Sequence, residues 1–251
     1  MTIELGQDSA EPVESRGLLI ELSQSLEEIK EAVKEPVFHR VLIFMLLNAV
    51  LIPSFGSFVY YFMLDVVKLS KFTIAMLGVL GYFCLLVGSS LYQYGFHKME
   101  FRTLTLYGIL LGIIFAPMSM LFVLRKNVEY GMPDLFVIIF SEVVSDTLGS
   151  CFHLLPIMVM FAKICPKRIE ATGFAFLTGT SNFTGTIRGL VGSLLNNLFV
   201  GVTQADLSKY YILVTISLVT SVLPVLYLKL LPLRADLEKI QETEEREEEK
   251  Q

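Results

Sequence analysis

Three long stretches without a charged side chain restrict the possible folds of this chain more than any other feature. Each is longer than twenty residues and contains no Asp, Glu, Lys or Arg: Val41–Leu64, Phe72–Phe96 and Thr103–Leu124. A helix needs about 20 residues to cross a hydrocarbon core of about 30 Å, whereas a soluble domain has no need of several such runs. The sequence therefore predicts an all-α integral membrane protein.

Apolar segments and the short polar loops between them predict six transmembrane helices. The expected spans are residues 37–63, 72–96, 103–124, 134–162, 171–202 and 210–230. Short loops favour a compact bundle. The first and third span of each set of three contains a proline, and these are Pro53, Pro117, Pro156 and Pro224. This pattern resembles two inverted three-helix repeats, so the predicted fold is a major facilitator-type half-bundle.

Charge divides the chain into three regions that the net charge of −5 conceals. Residues 1–35 carry nine acids and three bases, residues 235–251 carry eight acids and three bases, and residues 36–234 are basic. We expect an acidic N-terminal segment with an amphipathic helix, since Leu22, Leu26, Ile29 and Val33 recur at helical spacing. That helix is expected to pack on the bundle or the membrane surface rather than on a dedicated partner. The tail 235–251 is expected to be disordered, and the charge pattern gives no indication of nucleic-acid binding.

The distribution of Lys and Arg predicts the orientation. With the N-terminus inside, eleven basic residues lie on the inner side and five on the outer side. The outer five are Lys68, Lys71, Arg125, Lys126 and Lys209. Because cytoplasmic loops carry the excess of Lys and Arg, both termini are predicted to be cytoplasmic. The pattern leaves open whether the membrane is the plasma membrane or that of an organelle.

Ionisable and amide side chains inside the fourth and fifth spans are the candidate functional residues. Glu142, Asp146 and His153 recur at i, i+4 and i+11, which places them on one face of the fourth helix. Arg188 and Asn182 belong to a polar stripe on the fifth. Ionisable groups in a span cost about 2.5–3.5 kcal/mol on insertion scales and tend to mark transport pathways. We therefore expect these five residues to bind substrate or couple its movement to an ion.

Each of these residues also has a structural interpretation. Asp146 or Glu142 could form a neutralising ion pair with Arg188, and His153 could be a hydrogen-bonded structural histidine. Small residues four positions apart allow close helix packing. Two such pairs are expected to serve packing, namely Gly108 with Gly112 and Gly185 with Gly189.

Signatures of enzymes, metal sites and cofactor sites are not found in the sequence. There is no Gly-x-Ser-x-Gly, His-Glu-x-x-His or P-loop motif, and the three histidines are far apart. Cys84, Cys151 and Cys165 are scattered through apolar segments and support neither a disulfide framework nor a zinc site. We expect a protein that is not an enzyme and that uses no metal or cofactor.

Part of the fourth and fifth spans resembles a known family. Residues 153–177 read HLLPIMVMFAKICPKRIEATGFAFL, and Thr180-Ser-Asn-Phe-Thr-Gly follows. The pairing of Cys165-Pro166 with Glu170-Ala171-Thr172 is its most specific part. These motifs resemble the C-terminal half of the folate-biopterin transporter family of the major facilitator superfamily.

The resemblance implies a function and a partner. Members of this family have about twelve spans, so it implies a transporter of folate or biopterin, or the C-terminal half of one, working by alternating access with ion coupling. A second six-helix half or a second copy of the chain would complete it. The alternatives are a non-transporting membrane subunit that serves assembly, and a major facilitator transporter of another organic solute.

The resemblance also implies roles for single residues. Glu142 stands where family members tend to carry an acid, and a carboxylate can accept the adjacent N–H donors of a pterin. Arg188 departs from the family pattern, yet it could bind a folate carboxylate in bidentate geometry. Phe174, Phe176 or Tyr82 could stack on the pterin ring.

Overall fold

A computed structural model describes residues 35–165 and 170–248, together with the single residues Glu27 and Lys30. Within these ranges every regular element is a helix. The residues that define the predicted amphipathic N-terminal helix lie outside the described residues. The α-helices in chain order are α1 (Pro36–Leu51), α2 (Gly56–Tyr61), α3 (Lys71–Leu91), α4 (Phe101–Val123), α5 (Lys126–Glu129), α6 (Asp134–Gly149), α7 (Leu155–Ile164), α8 (Glu170–Leu195), α9 (Tyr210–Thr220), α10 (Pro224–Tyr227) and α11 (Arg234–Glu248).

Short π- and 3₁₀-helical turns extend or join several of these helices. The π-turns are Phe62–Val66 after α2, Tyr92–Phe96 after α3, Ser150–Leu154 between α6 and α7, and Asn196–Val200 after α8. The 3₁₀ turn Leu228–Leu230 follows α10. As a result α6 and α7 form one continuous helical rod, Asp134–Ile164, with a change of register in its middle.

Four helical segments in the described residues are long and apolar enough to cross a membrane. They are Lys71–Phe96, Phe101–Val123, Asp134–Ile164 and Tyr210–Leu230. Pro36–Leu51 and Gly56–Val66 would make a fifth span if they are taken together, and they meet at a bend of 47°. The prediction of an all-helical membrane protein is confirmed. Helix α8 has 26 residues, enough to cross a bilayer. Because of its polar stripe it is less apolar than the four segments above and is not counted with them.

Proline explains the bend in the first span. Helix α1 ends at Leu51, and Pro53 follows in the non-helical segment before α2. Proline has no backbone N–H and disfavours helical geometry in the residue before it, so the helix stops there. Pro117, in contrast, lies inside α4 without ending it. Pro156 lies inside the continuous rod, just after its π-turn, and Pro224 begins α10 after the turn at residues 221–223.

Close contacts between helices determine the shape of the bundle. Helix α3 packs along α6, α1 along α8, and α4 against both α6 and α9. At Gly88 of α3 an added Cβ would lie 2.5 Å from the carbonyl oxygen of Thr147, so only glycine permits this approach. Gly108 lies close to Phe152, as expected of a packing residue. Among the described residues nothing lies within 4 Å of a Cβ added at Gly112, Gly185 or Gly189, so the structure shows no close helix contact at these three glycines.

Arginines fix the loops at both ends of the bundle. At one end Arg125 donates to both carboxylate oxygens of Asp134 at 2.7 and 2.8 Å, which joins the end of α4 to the start of α6. At the other end Arg102 donates to the carbonyl oxygens of Leu231 at 2.7 Å and Lys229 at 2.9 Å. Bidentate and charge-assisted hydrogen bonds of this kind are the strong ones. They hold α4 against the start of α6 at one end and against the end of the last span at the other.

The acidic segment after Arg234 differs from its expected disorder. It forms helix α11 as far as Glu248, and Leu237 is fully buried. Leu237 joins a core cluster with Phe38, Phe101 and Phe161, and this buried area offsets the cost of ordering a charged helix. Charge counting could not detect this, because two apolar residues among many acids, Leu237 and the partly buried Ile240, carry the contact.

Candidate functional site

One candidate site is a cavity of about 530 Å³ inside the bundle, here called the first cavity. It is lined by α1, α4, the α6–α7 rod, α8 and the last span. Its volume lies within the range of about 300–1,000 Å³ that is common for small-molecule sites. Polar and aromatic side chains both reach it. The polar ones include Asn48, Ser141, Ser145, His153, Ser181, Thr184 and Arg188, and the aromatic ones are Phe44, Phe115, Phe140 and Phe152.

Arg188 joins the first cavity to the break in the first span. Its Nε donates to the carbonyl oxygen of Ile52 at 2.9 Å, and the Ser54 N–H donates to the carbonyl oxygen of Arg188 at 2.9 Å. Inside a bilayer, backbone groups released by a helix break need partners within the protein. Arg188 supplies two of them, and the guanidinium itself faces the cavity.

A glycine makes this contact between the two spans possible. A Cβ at Gly192, one turn after Arg188, would collide with the backbone of Ser54. The absence of a side chain lets the broken segment lie directly on α8. The position of Arg188 is therefore determined by its own hydrogen bond and by the close approach at Gly192.

The predicted ion pair of Arg188 with Asp146 is not formed. Among the side chains that the structure describes, Arg188 has no carboxylate partner, and its only hydrogen bond is the one from Nε. No described residue accepts a hydrogen bond from its two terminal nitrogens. Asp146 therefore does not neutralise Arg188. Arg188 does have a structural role, because it donates a hydrogen bond to the backbone of the broken first span.

Asp146 lies at a different cavity, here called the second cavity. This space of about 450 Å³ is lined mainly by α3 and the α6–α7 rod. An added Cβ at Gly81 of α3 would lie 2.6 Å from the Asp146 Oδ2, so the carboxylate rests against a position without a side chain. Within the described residues Asp146 has neither an ion pair nor a hydrogen bond. The two cavities adjoin at Ser145 and Gly149, which line both.

A π-turn explains why the predicted polar face of the fourth span is divided. Asp146 precedes the turn Ser150–Leu154, and His153 lies within it. Hydrogen bonds spaced five residues apart, rather than four, shift the register by about one residue, or about 100°. His153 is thus exposed to the first cavity, whereas Asp146 lines the second.

The two remaining predicted residues are Asn182 and Glu142. Asn182 is exposed on α8 and lines neither cavity; its backbone carbonyl accepts a hydrogen bond from Thr186. Glu142 lies within α6, and its side chain is outside the described residues. Of the four predicted residues whose side chains are described, the structure brings His153 and Arg188 together at one cavity.

The aromatic side chains at the first cavity are not those that were expected to stack on a ring. Phe176 packs on Phe38, with ring centroids 6.1 Å apart, and Tyr82 lines the second cavity. Phe174 packs against the core cluster at the other end of the bundle. Phe115 and Phe140 both line the first cavity and pack edge to face against each other, with centroids 6.2 Å apart.

Asn48 is a cavity residue that the search for charged groups missed. Its Nδ2 donates to the carbonyl oxygen of Phe44 at 2.8 Å, and its Oδ1 accepts from the Tyr227 hydroxyl at 3.3 Å. The available signal was its isolation, since it is the one amide in the charge-free run Val41–Leu64.

Comparisons with known proteins agree with this architecture. The profile of the BT1 family matches residues 5–251. The chain is 24% identical over 88% of its length to "Probable folate-biopterin transporter 4" of Arabidopsis thaliana, covering 46% of that protein. It is 29% identical over 59% of its length to "Folate-biopterin transporter" of Synechocystis sp., covering 29% of it. It is 21% identical over 76% of its length to "Folate transporter 1" of Plasmodium falciparum, covering 37% of it.

Coverage by the family profile decides membership, and the relatives agree with it. The chain spans less than half the length of each of these three relatives. No solved structure matches it. Because the profile covers residues 5–251, and so nearly the whole sequence, the chain belongs to the BT1 family of folate-biopterin transporters.

Proposed function

We propose that this chain is a transporter of folate- or biopterin-type pteridines, or the C-terminal half of one, working by alternating access with ion coupling. The observation that carries the proposal is the first cavity, which combines aromatic walls with a guanidinium lacking a carboxylate partner among the described side chains. Folate has an aromatic ring system and carboxylates, so it matches both features. The names of the relatives agree with this substrate class.

Arg188 is proposed to bind the substrate carboxylate. Its Nε is occupied by Ile52, and its terminal nitrogens remain available. A guanidinium binds a carboxylate best through two parallel hydrogen bonds, and such pairs are strongest where water is excluded. Biopterin has no carboxylate, so it would depend on the rest of the cavity. His153, which is exposed to the same space, is proposed as a further binding or proton-relay residue.

Asp146 is proposed as the coupling residue. An intramembrane carboxylate without an ion-pair partner is costly when charged, so its protonation can follow the exposure of the cavity to one side or the other. The second cavity adjoins the first at Ser145 and Gly149, which would let proton binding influence the shape of the substrate cavity. Glu142 is proposed as a second acid on the basis of the family resemblance.

The complete transporter is proposed to need a second half, supplied by another chain or by a second copy. In this arrangement residues 36–234 form a six-span half-bundle, α8 is the fifth span, and both termini are cytoplasmic. Support comes from the polar side chains exposed on α8 and on the π-turn after it, which are unsuited to lipid: Asn182, Thr186, Ser193 and Asn197. Asn182 could take part in binding only if the second half completed a site on that face.

Uptake by proteoliposomes tests the proposal. The purified chain would be reconstituted and given radiolabelled folate or biopterin, with and without a proton gradient. We expect the chain to bind pteridine. If a second copy supplies the second half, we also expect uptake above that of protein-free liposomes, stimulation by the gradient, and loss of the stimulation in Asp146→Asn. If the wild-type chain neither binds nor takes up either pteridine, the proposal is overturned.

The competing function is a non-transporting membrane subunit that serves assembly. It is favoured by the polar side chains exposed on α8, which are suited to packing on another protein. Native sizing with a ligand-induced thermal shift distinguishes the two. Stable association with an unrelated membrane protein, with no shift on adding pteridine, would favour the subunit. A thermal shift with a different organic solute would favour another major facilitator substrate.

A further inference from the structure

Asn48 is held in one orientation at the first cavity. Its Nδ2 donates to the carbonyl oxygen of Phe44, one turn earlier, and the Tyr227 hydroxyl donates to its Oδ1 from the last span. The Tyr227 ring packs edge-on against Phe44 with centroids 5.5 Å apart, which fixes the hydroxyl as well. The amide therefore cannot rotate freely, and its remaining donor and acceptor keep a defined arrangement.

Half of the hydrogen-bonding capacity of this amide is unused. An asparagine side chain offers two N–H donors and two oxygen lone pairs. One of each is occupied by Phe44 and Tyr227, and no other described residue takes the second pair. Asn48 is half-buried and lines the cavity. An unpaired donor and acceptor in an apolar span are costly, so a ligand that satisfies both gains specificity there.

The 2-amino-4-oxo edge of a pterin carries the complementary groups. Its 4-oxo oxygen is an acceptor, and the neighbouring N3–H is a donor. An amide can pair with such an edge through two hydrogen bonds, as Asn and Gln do with the edge of adenine. Nδ2 would donate to the 4-oxo oxygen while Oδ1 accepts from N3–H.

We infer that Asn48 is a specificity-determining residue that recognises this ring edge, an inference that rests on the proposed function of the same cavity. Arg188 and Asn48 line the cavity from different spans, α8 and α1. Ring and carboxylate recognition are thereby assigned to separate residues. Asn48 serves every pterin, whereas Arg188 serves only substrates with a carboxylate.

A 4-amino analogue of folate provides a selective probe. It places an amino donor at position 4 and a bare lone pair at N3, which reverses the donor–acceptor order at nearly constant size. With the amide held by Phe44 and Tyr227, donor would face donor and acceptor would face acceptor. A site built to hydrogen-bond one partner rejects such an analogue strongly. We expect the wild-type chain to prefer folate over the 4-amino analogue by about tenfold or more.

Competition binding to the full chain in lipid nanodiscs measures this preference. Radiolabelled folate would be displaced by unlabelled folate or by its 4-amino analogue. Asn48→Leu, which keeps the branching and the number of side-chain heavy atoms but removes the polar ones, should bring the preference to within about twofold. Tyr227→Phe, which removes only the hydroxyl that orients Asn48, should reduce it in part. Asn197→Leu makes the same chemical change at an exposed residue that lines neither cavity, and it should keep the wild-type ratio.

The outcomes separate this inference from the proposed function. If the wild-type chain binds folate and both Asn48→Leu and Tyr227→Phe keep its preference, the inference is overturned while the proposed function stands. If Asn48→Leu does not give a monodisperse protein, Tyr227→Phe decides alone, and an unchanged ratio overturns the inference. A wild-type chain that binds neither ligand overturns both.

Discussion

The two cavities differ in how the protein treats a charge inside the membrane. At the first cavity Arg188 is bound to the backbone break of the neighbouring span and completes the hydrogen bonding of Ile52. At the second cavity Asp146 rests against Gly81 with no hydrogen bond or ion pair in the described part of the chain. The guanidinium of Arg188 is therefore held by a hydrogen bond, whereas no described residue holds the carboxylate of Asp146.

This difference fits the separate roles proposed for the two residues, substrate binding for Arg188 and ion coupling for Asp146. A fixed cation is suited to orienting an anionic ligand, since little reorganisation is needed when the ligand arrives. An unpaired carboxylate is suited to exchanging a proton, since no partner holds it in the charged form. The cavities adjoin along α6, where Ser145 and Gly149 line both. Substitutions at the first cavity should thus alter ligand affinity, and substitutions at the second cavity should alter the pH dependence of uptake.

The largest effect is expected from Arg188→Gln. Loss of a partly buried, hydrogen-bonded charge at a binding site costs on the order of 2 kcal/mol or more, or about thirtyfold in affinity. Folate should lose that much, whereas biopterin, without a carboxylate, should lose several times less. Binding of both ligands to the purified variant is the measurement. Arg188→Lys retains the charge without the planar fork and should lie between wild type and Arg188→Gln. Equal losses for both ligands would assign Arg188 to the backbone break alone.

Gly192→Ala should have the next largest effect, on stability. The added methyl group would meet the backbone of Ser54, which cannot move without displacing the broken segment of the first span. Forcing a methyl group into a packed contact costs about 1–3 kcal/mol. The melting temperature of the detergent-solubilised protein should fall. Gly189→Ala, on the same helix and with nothing within 4 Å of its Cβ, is the matched control. Equal melting temperatures for the two variants would contradict the close approach at Ser54.

Gly81→Ala should have a smaller effect on stability than Gly192→Ala, and a clear effect on pH dependence. The new methyl group would meet the end of the Asp146 side chain, which can rotate away, rather than a backbone. The carboxylate would then leave its present environment, and the pH at which uptake is half-maximal should shift. Uptake measured over a series of pH values checks this. Gly95→Ala, with open space around its Cβ on the same span, should keep the wild-type profile.

Much of the fold could be predicted from the sequence because it depends on local properties. Charge-free runs identify apolar helices wherever they occur. The break inside the predicted span 37–63 was not expected, although Pro53, which has no backbone N–H, lies at it. The cavity residues His153 and Arg188 were found because charge inside a span is costly. In each case one residue type carries the physical reason by itself.

The division into two cavities could not be predicted in the same way. It depends on the π-turn Ser150–Leu154, a change of register for which the residue spacing gives no sign. The role of Arg188 at Ile52 depends on a contact between residues 136 positions apart. Asn48 was not predicted as a site residue. An amide costs less free energy inside a span than a charge does, so it is a weaker sign of a functional site.

The smallest effect is expected from Asp206→Asn, an acid outside both cavities that gives a reference for Asp146. Asp206 lies in the loop before the last span, and hydrogen bonding by the hydroxyl and the backbone N–H of Ser208 holds the pKa of its carboxyl below the ordinary value. Stability gained from such a lowered pKa is present above the ordinary pKa of about 3.9 and is lost as the pH falls through the lowered one. Between about pH 5 and pH 8 Asp206 therefore stays ionised, and its replacement should leave the pH profile of uptake unchanged. Asp146→Asn should alter that profile in the same assay. If both variants altered it equally, the response to pH would reflect the total charge of the protein rather than the carboxylate at the second cavity.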